Sequence, residues 1–208
     1  MSTENRYFSI YSLKNKNNWL SFLWLIFVKQ FKFVYYIRKS DVLILLQSHM
    51  KTSLKLEREE ARAMIDAALH KAQEIGVHET ICIVDDGGYP IAMDRMNGAR
   101  ITGPQIAWNK AFTAAGHKRS THLFNTLPNG PALPGNEAFG IQWSFEGKFA
   151  VFVGGFPIVV DDMVIGGVGL SGGNGEQDTQ CGVAALQALS DLLAGAGHRV
   201  LVEADIKK

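Results

Sequence analysis

Glycine and proline are confined to one part of this chain, and the boundary near Met50 divides it into two unlike segments. All 21 glycines and all 6 prolines of the 208 residues lie after that boundary. Residues 1–49 nevertheless hold 11 of the 21 aromatic residues, and they carry seven Lys or Arg against two Asp or Glu. Tight turns depend on glycine and proline. We therefore expect residues 50–208 to form one domain and residues 1–49 to stand outside it.

The first segment is predicted to be a non-domain leader, for example the product of an upstream start. Its apolar run at 19–28 has about half of the ~20 residues that a membrane-spanning helix needs. No small-x-small cleavage site of a secretory signal follows that run. We expect a cytoplasmic protein without a membrane partner, and the alternative is export or membrane association through residues 1–49.

Composition excludes several classes of protein. The net charge of +1 gives no concentrated basic face, so a nucleic-acid partner is not expected. The two cysteines, Cys82 and Cys181, are too few for a disulfide scaffold, and the chain has no Cys-x-x-Cys-His motif for covalent heme attachment.

Hydrophobic spacing after Met50 predicts an α/β fold of the α+β type. Helices are predicted over 57–75, 104–117 and 177–194. Gly87-Gly88 between two β-type runs predicts a hairpin. Further strands are predicted at 149–153, 158–160, 164–171 and 200–204. Hairpin-connected strands favour a mostly antiparallel sheet with helices on its faces.

Two glycine-rich patterns lie close together near the last helix. The G-x-G-x-x-G pattern at 167–172 falls inside a predicted strand, which excludes a dinucleotide site. The loop 172–175 precedes a helix start, where N–H groups can bind a carboxylate or phosphate. Gln177 and Asp178 are therefore candidate ligand-binding residues, and the alternative is that Asn174 or Asp178 only caps the helix.

A polar stripe on the second helix is the main candidate site. Lys110, Thr113 and His117 share one side of that helix, beside a row of alanines. We expect them to line a concave space with Arg95 and Asn97, which follow the hairpin. In such a space Lys110 and Arg95 would bind an acidic ligand, and His117 would ligate a metal or move a proton. The alternative is an ordinary solvated helix face.

Glu57 and Glu60 form an E-x-x-E motif that could hold iron. Glutamates at a helix start more often serve the helix dipole.

Three blocks of sequence resemble one known family in the right order. They are IVDDGGYPIAMDRMNGA (83–99), IAWNKAFTAA (106–115) and GGFPIVVDDMVIGGVGLSGGNGEQD (154–178). They resemble the GlcG/HbpS family, which includes heme-binding HbpS proteins and the C-terminal domain of PduO-type adenosyltransferases, and the resemblance covers about residues 54–195. It implies a profilin-like, three-layer α/β/α domain with a five-stranded antiparallel sheet, assembled as a homo-oligomer.

The same resemblance implies non-covalent heme or iron binding for some members. Heme needs an axial donor, apolar walls and cations for its propionates. His117 is the first candidate for the axial donor, His122 the second, and Met96 a softer option. Ring contacts and cations are expected from Phe112, Phe124, Phe139, Trp143, Arg95, Lys110 and Lys118.

Three functional hypotheses follow. The first is an oligomeric protein that binds heme or a related acidic small molecule. The second is a cofactor-free enzyme acting on a small carboxylate, with Asp85, Asp94 or His117 as acid or base. The third is an accessory structural protein whose oligomer surface is its function.

Overall fold

The computed structural model describes residues 53–202, which form a four-stranded antiparallel sheet with helices on both faces. The helices are α1 (Arg58–Glu74), α2 (Gly103–His117), the single turn α3 (Ser144–Gly147) and α4 (Gly175–Ala194). The strands are β1 (Thr80–Asp85), β2 (Pro90–Arg95), β3 (Gly155–Val160) and β4 (Met163–Ser171). Their order in the sheet is β2-β1-β4-β3, and every neighbouring pair is antiparallel. The predicted leader lies outside the described residues.

Alternation along β1 separates two hydrophobic layers. Ile81 and Ile83 lie in the core that α1 and α4 share with the sheet, whereas Cys82 and Val84 pack with α2 on the opposite face. Successive strand side chains point to opposite faces, so a strand buried on both faces requires helices on both. None of the helices between residues 53 and 202 is long and apolar enough to cross a membrane.

Glycines in β4 allow α2 to lie very close to the sheet. A Cβ built on Gly169 would collide with the carbonyl oxygen of Ala107, and one on Gly167 would collide with that of Ala111. The first two glycines of the G-x-G-x-x-G pattern, Gly167 and Gly169, therefore allow a helix to pack on a strand. This agrees with the prediction that the pattern is not a nucleotide site.

The prediction of a strand at 149–153 is wrong, because the side chains and backbone groups of this segment make contacts other than strand pairing. Phe149 is buried in a small separate cluster with Phe124. The Ala150 N–H donates to Thr113 Oγ1 at 2.8 Å instead of to a neighbouring strand. Regular pairing begins at Gly155, after Gly154 with φ +111°.

The expected fifth strand is not present among residues 53–202, which contain four. Val200 makes an isolated antiparallel bridge with Val160, and the Leu201 N–H donates to the Val159 carbonyl oxygen at 3.0 Å. The segment predicted as a last strand thus starts to pair with the edge of β3, and its residues from 203 onward lie outside the described range.

Candidate functional site

Two residues of the predicted stripe on α2 point into the protein. The Lys110 side chain is 3% exposed, and its Nζ donates to Asp178 Oδ2 and to the Leu170 carbonyl oxygen, both at 2.6 Å. Thr113 is also buried, and its Oγ1 donates to the Asn109 carbonyl oxygen at 2.8 Å. Lys110, Thr113 and Asp178 were predicted as ligand-binding residues, but their polar atoms bind other parts of the chain.

Glu79 joins this buried ion pair, although it belongs to none of the motifs identified in the sequence. The Gly173 N–H donates to Glu79 Oε1 at 3.0 Å and to Asp178 Oδ1 at 3.1 Å, so two carboxyl groups converge on one amide. Burial, and then the neighbouring Asp178, raise the pKa of Glu79 to about 8. The signal in the sequence was its position two residues before Ile81, which places a charged residue on the same side of the chain as that buried side chain.

His117 lies at the end of α2 and is exposed, with two aromatic rings against it. Its ring centroid is 4.6 Å from that of Phe149 and 5.4 Å from that of Phe124, both edge to face. Partial burial, and then the charge of Arg119, lower the pKa of His117. A neutral imidazole is the form that binds a metal, so this side chain is suited to ligate iron.

His122 follows in a 3₁₀ turn, Thr121–Phe124, and is half-buried. Partial burial and then the charge of Arg119 lower its pKa as well. The Arg119 guanidinium lies 4.7 Å from the centroid of the Phe124 ring, and Lys118 is exposed at the C-cap of α2. Neutral nitrogen donors, aromatic rings and cations are therefore adjacent here, and this set fits the requirements of non-covalent heme.

Arg95 and His117 were predicted to line one concave space, but the structure does not bring them into one pocket. Arg95 lies opposite Thr80 in the pairing of β1 with β2. Thr80 in turn lies against Gly103, where an added Cβ would meet Thr80 Oγ1. Arg95 is therefore near the start of α2. His117 ends the same helix, which at ~1.5 Å per residue places it about 20 Å away. Arg95 Nη2 donates to the Ala99 carbonyl oxygen at 2.8 Å. The single predicted site is thus divided between the two ends of α2.

An open groove of about 490 Å³ lies at the Arg95 end. Its walls are residues 76–78 after α1, Gly98 and Arg100 after β2, and residues 172–174 with Gln177 at the start of α4. The predicted ligand residue Gln177 lines this groove. Asn97, next to Gly98 in the chain, is exposed.

The other candidate donors have structural partners. Glu60 Oε2 accepts from the Glu57 N–H at 3.1 Å, which is a helix-start contact, and no group of three or more His, Cys, Asp or Glu side chains within residues 53–202 could hold a metal ion. The Met96 sulfur accepts from the Glu79 N–H at 3.2 Å. The expectation of iron at Glu57 and Glu60 thus gains no support from the structure.

The carboxylates proposed as acid or base also make contacts of their own. Asp85 Oδ1 accepts from the Gly87 and Tyr89 N–H groups at 2.9 Å, as is usual for an aspartate in a turn. Asp94 pairs with Arg62 at 3.1 Å on the surface.

Comparison with known proteins identifies the family. The family model described as "Haem degrading protein HbpS-like" matches residues 56–187. The chain belongs to the HbpS-like family. An uncharacterized 15.0 kDa protein of Citrobacter freundii, from the dhaT-dhaS intergenic region, is 36% identical over 132 residues, which are 64% of this chain and 90% of that protein.

Two solved structures resemble the fold described here. The crystal structure of Klebsiella pneumoniae protein ORFY superimposes with a TM-score of 0.62 at 33% identity, over 69% of this chain and 98% of that one. A PduOC–heme complex superimposes with a TM-score of 0.60 at 32% identity, over 65% of this chain and 95% of that one. The family predicted from the three sequence blocks is therefore confirmed.

Proposed function

We propose that this protein binds heme non-covalently and that His117 supplies the axial nitrogen. The observation that carries the proposal is the exposed His117 ring, which is supported by Phe124 and Phe149 and whose pKa is lowered. The lowered pKa keeps the imidazole neutral at physiological pH, and its exposure leaves a ring edge accessible to iron. The heme complex of the PduOC relative supports the choice of ligand.

The groups around His117 would complete the site. Phe124 and Phe149 form a rigid aromatic support, with ring centroids 5.0 Å apart. Lys118 and Arg119 follow His117 directly and offer positive charge for propionate groups. The exposed pair Phe139 and Trp143, 6.4 Å apart, provides apolar surface in the same long connection. Lys110 cannot bind a propionate group, because its ammonium group is buried in an ion pair with Asp178.

A hemin titration followed by absorption tests the assignment. We expect the wild-type chain to shift the Soret band of hemin saturably, and His117→Ala to lose that shift because the iron loses its nitrogen donor. His198→Ala is the matched control, because His198 is a partly exposed histidine whose ring pairs with Asp161 in the turn between β3 and β4. It is expected to bind like the wild type.

His122→Ala separates the two candidate donors. Retention of the band in this variant, with loss in His117→Ala, supports the proposal. If the band survives in His117→Ala and disappears in His122→Ala, the axial assignment is wrong. Absence of any saturable shift in the wild type contradicts heme binding altogether.

A further inference from the structure

The groove at the start of α4 has its own chemistry, independent of His117. We propose that it binds a small oxyanion, a carboxylate or a phosphate, with Arg100 binding the charge and Asn174 and Gln177 donating hydrogen bonds. The reasons are the polarity of the groups that line it, the absence of acidic side chains among the described residues of its walls, and the buried network beneath its floor.

The capping interactions of α4 determine which atoms of two carboxamides face the groove. Asn174 Oδ1 accepts from the Glu176 and Gln177 N–H groups at 3.0 Å. Gln177 Oε1 accepts from the Asn174 N–H at 3.0 Å. Both carboxamide oxygens are therefore committed to the backbone. The two NH₂ groups have no partner among the described residues, and they remain as donors beside the groove.

Arg100 adds the positive charge. Its side chain is exposed on the groove wall, and within residues 53–202 its guanidinium makes no hydrogen bond or ion pair. His78 lies in the connection between α1 and β1, and its ring can donate a hydrogen bond to a ligand in the groove. No Asp or Glu from the described part of the chain lines the groove. A concave surface with donors and one guanidinium selects a ligand rich in acceptors and negatively charged.

The floor of the groove is glycine backbone, and a charged network lies directly below it. A Cβ on Gly172 would approach Glu79 Oε2 to 2.8 Å, and one on Gly173 would meet the Gln177 side chain at 2.6 Å. Glu79 is fully buried, and its Oε2 has no partner within residues 53–202. Asp178 is neutralised by Lys110. While Glu79 retains its proton, the network below the floor carries no net charge to repel an anion.

Titration of the full chain with succinate, inorganic phosphate and succinamide tests this proposal. Binding is followed by ¹⁵N–¹H NMR and isothermal calorimetry. We expect succinate or phosphate to shift the backbone amides of residues 76–78, 98–100 and 172–177 saturably, and the stronger of the two identifies the class of oxyanion. Succinamide has the size and carbon chain of succinate without its charge, and it is expected to leave these amides unchanged.

Two variants test the named donors. Arg100→Gln should weaken binding at least about tenfold, because a charge-assisted hydrogen bond is lost. Gln177→Glu retains the cap, since a glutamate at this position also accepts from the N-cap amide, but it places a carboxylate at the groove and should also weaken binding. Arg58→Gln is the matched control, because Arg58 is an exposed arginine at the start of α1 that contacts only Glu59 among the described residues.

The proposal is overturned if neither anion shifts the groove amides saturably, or if succinamide binds as tightly as succinate. It is also overturned if Arg100→Gln, folded by circular dichroism, retains wild-type affinity. Because Arg100 lies near the start of α2 and His117 at its end, hemin binding should be unchanged in Arg100→Gln. Failure of one proposal therefore leaves the other intact.

Discussion

Glu79 is a carboxyl group that the fold holds in its protonated form at neutral pH. It is fully buried, beside Asp178, and its pKa is raised to about 8. Lys110 and Cys181 also lie in this environment, and the Lys110 ammonium is bound to Asp178. A buried lysine can balance one carboxylate. The second carboxyl group avoids like-charge repulsion by retaining its proton.

This pKa shift predicts how stability depends on pH. The folded state holds a proton on Glu79 that the unfolded state releases near pH 4.5, so the free energy of unfolding should fall as pH rises from about 4.5 to about 8 and then level off. Glu79→Gln stays neutral at all pH values. Relative to the wild type, its free energy of unfolding should therefore rise between about pH 4.5 and about pH 8, as measured by urea unfolding.

Glu137→Gln is the control for this measurement, because Glu137 is exposed in the loop before α3. It should follow the wild-type pH dependence. Parallel curves for Glu79→Gln and the wild type would show that Glu79 does not carry the effect.

At the scale of elements, the contact between α2 and β4 depends on having no side chain at two strand positions. Ala107 and Ala111 on the helix face Gly167 and Gly169 on the strand, and the backbones approach so closely that a Cβ has no room. The small-residue side of α2 thus positions the whole helix. That position in turn directs Lys110 toward Asp178 and leaves His117 at the exposed end.

Gly169→Ala and Gly116→Ala give opposite predictions for the same chemical change. The Cβ of Gly169→Ala would collide with the Ala107 backbone, and overpacking of this kind typically costs about 1–3 kcal/mol of unfolding free energy. Gly116 is exposed in α2 with nothing within 4 Å of an added Cβ, so alanine there should stabilise the helix by about 0.5–1 kcal/mol. Urea unfolding of both variants measures the difference, and equal effects would contradict the packing argument.

At the scale of the whole molecule, the long connection between α2 and β3 exposes several large apolar side chains. Trp143 is 73% exposed, Phe145 63% and Phe139 55%. Phe145 and Glu146 adopt left-handed backbone conformations, with φ of 52° and 58°, which are unfavourable for residues other than glycine. Contiguous exposed apolar surface commonly marks an interaction site. This surface is consistent with the homo-oligomer that the family resemblance implies, and we propose that it joins copies of the chain.

Trp143→Glu should lower the oligomeric state if this surface joins copies of the chain, because a carboxylate buried in an interface is strongly unfavourable. Sedimentation velocity measures the change. Leu192→Glu is the matched control, since Leu192 is 53% exposed on α4, away from the connection. A wild type that sediments as a monomer, or a Trp143→Glu variant that sediments like the wild type, would contradict the proposal.

Local patterns were sufficient to predict most of the fold. The apolar spacing of α1, the Gly87-Gly88 hairpin and the proline near the start of α2 are short-range signals, and the elements formed close to their predicted bounds. The prediction of a strand at 149–153 was wrong because these residues make tertiary contacts instead of strand pairs. Phe149 packs in an aromatic cluster, and the Ala150 N–H donates to Thr113.

The candidate site was less predictable, because a helical stripe records which residues share a side and does not record what that side meets. Lys110 and His117 lie on the same side of α2, yet one is buried at an ion pair and the other is exposed among aromatic rings. Glu79 carried no motif of its own. Its role depends on Asp178, which lies 99 positions later in the chain.

The amino-acid sequence by itself determined the family, the three long helices, most of the strands, and the positions of the small residues that let α2 approach the sheet. These features depend on local periodicity, on turn residues and on side-chain size, all of which can be identified from residues close together in the sequence. Only the tertiary structure decided which polar side chains are buried together and which remain accessible. That outcome depends on where helices from opposite faces of the sheet end relative to one another, and burial then sets the charge state of each group.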